Sequence, residues 1–422
     1  MTTMKTHGIR TVAAMGVAVG VACGGGGGGS SNATGTEPAA NQPPVQGGEA
    51  PPQSTPSTPP AAPTASSPPP AQEGPAIRFV GRFDTRDATG PKCGWPGCRV
   101  VANFDGTAVS VRLNEQERPD GPSEWDVAID GQWGPKLVLA LGDHTYDLAS
   151  ALPAGAHRVE IYKRSESQTG VTQFLGFDFH GGGLMAPPPR PARRIEVVGD
   201  SEAAGYGFAG ASNGGDCGGT AWLARYQDFR AAWPARLGVK LGAELEGTVF
   251  SGKGFYFNAW RPDTETIDLL YPRANPEDPT SAFDYATLVP DVVIVSIGGN
   301  DYNLGQPEDT GPAPLDGFTA KARAFTSLLR GAYPRAHLFL VAYAMLSDDD
   351  PPGRLKRTNV VTAFQTVTGE HNAAGDARVY FLAPPIANGA ELSACDGHGG
   401  PEYHERIATF MAAEVSARTG WK

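Results

Sequence analysis

Four segments far apart in the chain end in residues able to do polar chemistry. The run "IEVVGDS" stops at Gly199-Asp200-Ser201, and "ELEGTVFSGKG" passes into Ser251-Gly252-Lys253-Gly254. A third, "VIVSIGGND", stops at Gly298-Gly299-Asn300-Asp301, and near the C-terminus "ACDGHGGPEYH" carries Asp396 and His398. A serine hydroxyl is a weak nucleophile until a neighbouring base takes its proton. When it attacks a carbonyl, charge gathers on the oxygen, and prepositioned N–H donors lower that barrier. The four segments supply one set of these parts. Ser201 is the candidate nucleophile and His398 the candidate base, with Asp396 as the group that orients the imidazole. The backbone N–H groups of Ser201 and Gly252, with the Asn300 side-chain amide, are the candidate oxyanion hole.

Each of these residues also has a plainer role to be weighed. Gly-Asp-Ser before a helix is good capping chemistry, and Gly-Asn-Asp favours turns. Asp200 reads as structural, Asp301 as a brace for its loop, and Lys253 as a solvated loop charge. Among the histidines, His404 is the serious competitor to His398. It shares a helical face with Ile407, Met411 and Val415, which makes it a packed structural histidine. The segment "GASNG" (210–214) matches the Gly-x-Ser-x-Gly nucleophile elbow, but that motif needs a strand directly before it and a helix directly after. Here "YGFAGASNGGDCGG" reads as loop on both sides, so the match is rejected.

The elements that must position these groups fall into two patterns. From Arg194 onward strands and helices alternate. "RIEVVG", "AELEGTVF", "PDVVIVSIGG", "HLFLVAYAM" and "ARVYFLAPP" read as strands. "TAWLARYQDFRAAWPARLG" (220–238) is expected to be largely helical up to Pro234. Further helices are expected over "GFTAKARAFTSLLRGAY", "RTNVVTAFQTVTGEHN" and "PEYHERIATFMAAEVSARTG". This alternation predicts a three-layer α/β/α sandwich on a parallel sheet over 194–422, and in such sheets ligands gather at the carboxyl ends of the strands. Residues 77–185 differ. Seven or more short runs, several alternating and separated by Gly, Pro, Asp and Asn, predict a β-sandwich of jelly-roll type. The proline run at 186–193 marks the boundary between the two.

Composition bounds the setting. The 422 residues carry a net charge of −11, and without a basic patch a nucleic-acid partner is not expected. Residues 1–23 read as an export signal, with Lys5 and Arg10 ahead of the 12-residue apolar stretch "TVAAMGVAVGVA". A membrane span needs about 20 apolar residues. The stretch runs into Cys23, as at a bacterial lipoprotein processing site, so Cys23 is expected to carry lipid; ordinary cleavage nearby is the alternative. Residues 24–76 are Gly-rich and then Pro-rich without aromatics, which predicts a disordered spacer. The expected location is therefore the exported cell envelope, held to a membrane only through the lipid, or else secretion. Setting Cys23 aside, Cys93, Cys98, Cys217 and Cys395 remain. In an oxidising compartment an even count favours disulfides. Cys93 and Cys98 flank "GWPG" and are natural partners. Cys217 and Cys395 would then pair at long range and staple the segment after Ser201 to the His398 loop. A zinc site is the competing reading, and its ligand spacings fit poorly.

The ordered blocks "GDS", the glycine of "SGKG", "GGND" and a late Asp-x-His resemble those of the SGNH (GDSL) hydrolases. With the leading β domain, "HRVEIYKRSESQTGVTQFLGF", "DLLYPR" and "CDGH", the chain from 77 onward is similar to carbohydrate esterase family two. The resemblance implies a jelly roll joined to an SGNH domain, needing no metal or other cofactor, that removes acetyl groups from plant polysaccharides such as xylan or glucomannan. It also implies that Asp396 is dispensable in some members, where a backbone carbonyl orients the imidazole of a Ser–His dyad. Two departures concern sugar seating: Gly397 stands where the family often has an aromatic residue, and "GG" follows His398 where a proline is usual. Trp95, Tyr206, Phe255, Tyr256 and Trp260 are candidates to line a sugar site. The expectation is a monomeric serine esterase acting on acetylated carbohydrate. An SGNH esterase for another acyl ester and a non-catalytic glycan-binding lipoprotein are the alternatives.

Overall fold

The structure is a computed structural model that describes residues 76–422. The readings of residues 1–23, of Cys23 and of 24–75 concern residues outside that range. The described residues 76–422 lie within one compact unit.

The first part is a β-sandwich of two antiparallel sheets. One has seven strands, in the order Arg78–Val80, Arg99–Gly106, Gly155–Lys163, Glu124–Ile129 and Gln132–Trp133, with Gly183–Leu184 and Leu137–Val138 added at the sides. The other has four, Lys92–Cys93, Val171–Asp178, Val109–Gln116 and Gly142–Ala149. The period-2 pattern works as it must: in "VSVRLNEQ" Val111 and Leu113 turn inward while Arg112 and Asn114 do not. Their side chains meet Val100, Trp125, Ile161 and Phe174 in the core between the sheets.

The second part is a five-stranded parallel sheet in the order Ala243–Val249, Arg193–Gly199, Val292–Ser296, His337–Val341 and Val379–Leu382. The central strand Val292–Ser296 is buried at every position because both of its faces are covered. Val293 and Val295 face Phe318, Phe325, Val360 and Phe364 of the helices Leu315–Ala332 and Lys356–Ala373. Val292 and Ile294 face Leu237, Ile407 and Met411 of the helices Trp233–Leu241 and Pro401–Thr419. Each such side chain contributes about 1.5–3 kcal/mol by leaving water, so the two-sided strand fixes the layer order.

One helix differs from expectation. Residues 220–238 are not a helix ending at Pro234; they hold two short 3-10 turns, Ala224–Tyr226 and Phe229–Ala231, before the helix Trp233–Leu241 begins. Pro234 sits in the first turn of that helix, where its missing N–H has no intrahelical partner to lose.

The two parts pack through a buried polar core. Arg82 of the sandwich meets Glu196 of the first parallel strand at 2.7 Å, and the Tyr271 and Thr248 hydroxyls donate to the same carboxylate. The Cys93–Cys98 turn inserts Trp95 beside Phe255 and Tyr271 in the core of the α/β part. Among the described residues no helix is long and apolar enough to cross a membrane.

Candidate active site

Strand order locates the site. The first parallel strand lies between the second and third, so the connections on its two sides run in opposite directions. At that reversal the carboxyl ends of the strands open a crevice. Ser201 follows Arg193–Gly199, Ser251–Gly254 follows Ala243–Val249, and Asn300 follows Val292–Ser296. Three of the four segments singled out in the sequence thus meet at one edge of the sheet.

At Ser201 the capping and nucleophile readings separate cleanly. The cap is Asp200, whose Oδ1 accepts the Glu202 N–H at 3.1 Å and opens the helix Ser201–Ala204. Ser201 is the first residue inside that helix, and its Oγ lies 2.9 Å from His398 Nε2. The other ring nitrogen, Nδ1, faces the Cys395 carbonyl at 3.1 Å. A carbonyl can only accept, so Nδ1 carries the proton and Nε2 presents its lone pair to the serine hydroxyl. Burial lowers the His398 pKa from its ordinary value, against the raising effect of the Cys395 carbonyl and the Asp396 charge.

Asp396 is a correction. Its carboxylate accepts from the Tyr206 hydroxyl at 3.1 Å, and the hydrogen bond made by His398 Nδ1 goes to a backbone carbonyl instead. The reason is local. Asp396 is exposed and sits in the left-handed region at φ 54°, a conformation open to aspartate. In so tight a turn its side chain splays to the surface, while the preceding carbonyl points back to the ring two residues on. Tyr206 completes the arrangement, its ring centroid 4.6 Å from that of His398.

The donors on the opposite side are carried by two loops. Gly252 has φ +81°, and nothing but the Ala259 methyl lies near a Cβ placed there. Glycine is needed for the left-handed backbone, not for space. Asn300 Nδ2 lies 2.8 Å from the Lys253 carbonyl and 3.4 Å from Asp200 Oδ2, so the amide ties the Gly252 loop to the base of the nucleophile turn. Asp301 accepts the N–H groups of Phe255, Tyr256 and Phe257, bracing the same loop as expected. Lys253 is not a solvated charge: it is 5% exposed, with its ammonium on Asp263 at 2.5 Å and on the Glu265 carbonyl at 2.7 Å.

Buried carboxyls underlie the crevice. Desolvation pushes Asp200 up to about 8, against the Glu202 N–H and Tyr343 hydroxyl bonds, and pushes Asp301 up to about 6. Glu202, next to the nucleophile, accepts from the Tyr403 hydroxyl at 2.5 Å and from Ser296 at 3.1 Å, and burial raises it to about 7. Sequence reasoning passed over Glu202, Tyr343 and Tyr403. Tyr343 lies just past the carboxyl end of His337–Val341, so the strand-end rule already in use would have found it. Glycine at 299 is what lets its hydroxyl reach Asp200, since a Cβ there would stand 2.0 Å from that oxygen.

Cys93 pairs with Cys98 and Cys217 with Cys395, the second pair spanning 178 residues with Cα atoms 5.8 Å apart. The four sulfurs are thereby taken up, which leaves the zinc alternative without thiolates. His404 is buried, and its Nδ1 accepts the Trp233 N–H at 3.1 Å; burial drives its pKa down to about 3. The decoy Ser212 lies in the 3-10 turn Phe208–Asn213 with its hydroxyl on the Ala209 carbonyl. Of the candidate aromatics, Trp95 and Phe255 are corrections: each is 1% exposed and belongs to the core. Tyr256 and Trp260 are each 38% exposed, and Tyr206 is half-buried over the imidazole.

Residues 79–189 match the carbohydrate esterase 2 N-terminal family, and 197–406 match the GDSL-like lipase/acylhydrolase family. The chain is 30% identical over 83% of its length to the cellulase/esterase CelE of Acetivibrio thermocellus, and spans 40% of the length of that protein. It is 25% identical over 66% of its length to an acetylxylan esterase/glucomannan deacetylase of Cellvibrio japonicus, covering 74% of it. A family two carbohydrate esterase from Clostridium thermocellum, solved with cellohexaose, superposes with a TM-score of 0.73 at 30% identity, over 82% of this chain and 100% of that one. Sandwich and parallel sheet are thus shared with a protein matched over its whole length, and the chain belongs to carbohydrate esterase family two.

Proposed function

We propose that the chain removes O-acetyl groups from a carbohydrate polymer or its fragments through an acetyl-enzyme on Ser201. One observation carries the reading: Ser201 Oγ lies 2.9 Å from the unprotonated nitrogen of an imidazole whose other nitrogen is tied to the Cys395 carbonyl. His398 takes the hydroxyl proton as Ser201 Oγ bonds to the acetyl carbon. The oxygen of that carbonyl gathers charge among the Ser201 N–H, the Gly252 N–H and the Asn300 amide. On collapse the imidazolium gives its proton to the departing sugar oxygen. Water, deprotonated by His398, then attacks the acetyl-serine; acetate leaves and Ser201 regains its proton. Arrangement of the base by a carbonyl makes this a Ser–His dyad, with Asp396 and Tyr206 as a polar wall beside it. The names of the family relatives, an acetylxylan esterase and glucomannan deacetylase among them, support the acetylated-polysaccharide substrate.

Acetate release from acetylated xylan, acetylated glucomannan and an aryl acetate tests the reading. Ser201→Ala should lower kcat by about ten-thousand-fold on every substrate hydrolysed. Release by the variant at the wild-type rate would remove Ser201 from the reaction. Binding of glycan with no release by the wild type would favour a non-catalytic role.

Export and tethering complete the proposal. The apolar stretch 11–22 ahead of Cys23 and the Gly/Pro-rich residues after it support a lipid-anchored envelope protein. Cys23→Ala should move the protein from the membrane to the soluble fraction; an unchanged distribution counts against the anchor.

A further inference from the structure

The sandwich contributes a residue directly behind the proposed oxyanion hole. After the strand Gly155–Lys163 the turn Arg164–Gly170 packs against the α/β part before the chain returns to the sandwich in the strand Val171–Asp178. Glu166 in this turn is fully buried, and both of its carboxylate oxygens are on Ser251. Oε2 accepts the Ser251 N–H and Oε1 accepts the Ser251 hydroxyl, each at 2.6 Å. Ser251 precedes Gly252, so holding its nitrogen and side chain fixes the peptide unit that carries the Gly252 N–H.

The turn is itself held on every side. The Glu166 N–H donates to Gln227 Oε1 at 2.7 Å, and its carbonyl accepts from Thr169 Oγ1 at 2.7 Å and from the buried Lys163 ammonium at 3.2 Å. The preceding residue but one, Arg164, pairs with Asp228 at 2.6 Å, and the Asp228 N–H donates to the carbonyl of Gly205 at the end of the nucleophile helix. One turn of the β-sandwich therefore grips both the loop that carries Gly252 and the end of the helix that begins at Ser201.

We infer that Glu166 is a positioning residue for the oxyanion loop, so that the β-sandwich is part of the catalytic apparatus. This rests on the acyl-transfer reading above. Glycine at 252 in a left-handed backbone can swing its N–H readily, and a donor displaced by a fraction of an ångström loses transition-state stabilisation while substrate binding is little changed. Glu166 in either protonation state can hold Ser251, since a neutral carboxyl or an amide offers one acceptor to the N–H and one donor to the hydroxyl.

The test uses the full chain with Glu166→Ala, Glu166→Gln and Ser251→Ala, on an aryl acetate. Rates are expressed per active site counted by exhaustive fluorophosphonate labelling, with thermal melts alongside. Glu166→Ala should lower kcat by roughly 10–100-fold with KM within about threefold. Glu166→Gln should return kcat to within about threefold of wild type, and Ser251→Ala, which keeps the N–H bond, should fall between them. A purely structural carboxyl would lower the melting temperature and leave kcat per site intact, and that result overturns the inference. So does a wild-type kcat in Ser251→Ala if Glu166→Ala fails to fold, or a loss in Glu166→Ala that Glu166→Gln does not recover. A wild type that neither hydrolyses the ester nor takes the label overturns the acyl-transfer reading itself, and Glu166 falls with it.

Discussion

The proposed base, His398, is oriented by the Cys395 carbonyl, and this changes what its neighbours contribute. A carboxylate on Nδ1 would hold the ring and also stabilise its charged form; a carbonyl does the first with a smaller share of the second. Asp396 acts on the ring through space, raising its pKa against a larger lowering by burial. Because the net shift is downward, His398 stays in its neutral, competent form to a pH below the ordinary imidazole value of about 6.5. The acid limb of kcat/KM should therefore have its midpoint below about 6.5. Asp396→Asn should shift that limb slightly further down and leave kcat within about threefold, as read from pH-rate profiles on an aryl acetate. A loss of a hundredfold or more would return Asp396 to the role that its spacing suggests.

At the scale of elements, the site depends on short turns rather than on long helices. The segment Cys395–Gly397 is a single 3-10 turn, and the Cys217–Cys395 bond fastens it to the loop beyond the nucleophile helix. The Cys395 N–H adds a bond to the Gly207 carbonyl at 3.2 Å. The residue whose carbonyl steers the base is thus anchored through both its side chain and its backbone. Cys217→Ser should destabilise the protein by about 2–4 kcal/mol. It should also lower kcat by roughly tenfold at temperatures where the protein stays folded, because small displacements of a catalytic group are costly. Thermal melts and aryl acetate kinetics, with and without reductant, check both. Wild-type kinetics in the folded variant would reduce the staple to a stability device.

For the whole molecule, close packing around the crevice leaves several carboxyl groups buried. Glu166, Asp200 and Glu202 are all held above their ordinary values, first by desolvation, at about 7, 8 and 7. The folded state therefore keeps protons that the unfolded chain has already released. Stability from these groups is fully present below the unfolded carboxyl range and is lost as pH rises through the folded values. Between pH 6.5 and 8 the loss should be on the order of 3 kcal/mol, or about 4 °C in Tm for a chain of this size. Thermal melts across that window check the sign, and a Tm rising from pH 6.5 to 8 would contradict it. Replacing Glu166 by Gln should flatten part of the slope.

The sequence by itself determined the two-part architecture and most of the site. Alternation at period 2 in the first part and the doubly apolar run at 292–296 in the second admit few other layer arrangements. Ser201, Gly252 and Asn300 were legible because strand ends in a parallel sheet converge whatever the rest of the chain does. His398 was legible from its place in a glycine-rich loop, once His404 was assigned to the core face of the last helix. The stretch 220–238 was misread because its apolar residues serve two 3-10 turns and a short helix, and periodicity alone does not mark the breaks. What only the tertiary structure decided is which groups touch. Spacing placed Asp396 near His398, but the left-handed turn at Asp396 gave the ring a carbonyl and sent the carboxylate to Tyr206. Glu166 had no signal in its own segment, since its partner Ser251 lies 85 residues away and across a domain boundary. Local patterns fix which face of an element is buried; contacts between distant elements depend on how whole layers pack, and no single segment encodes that.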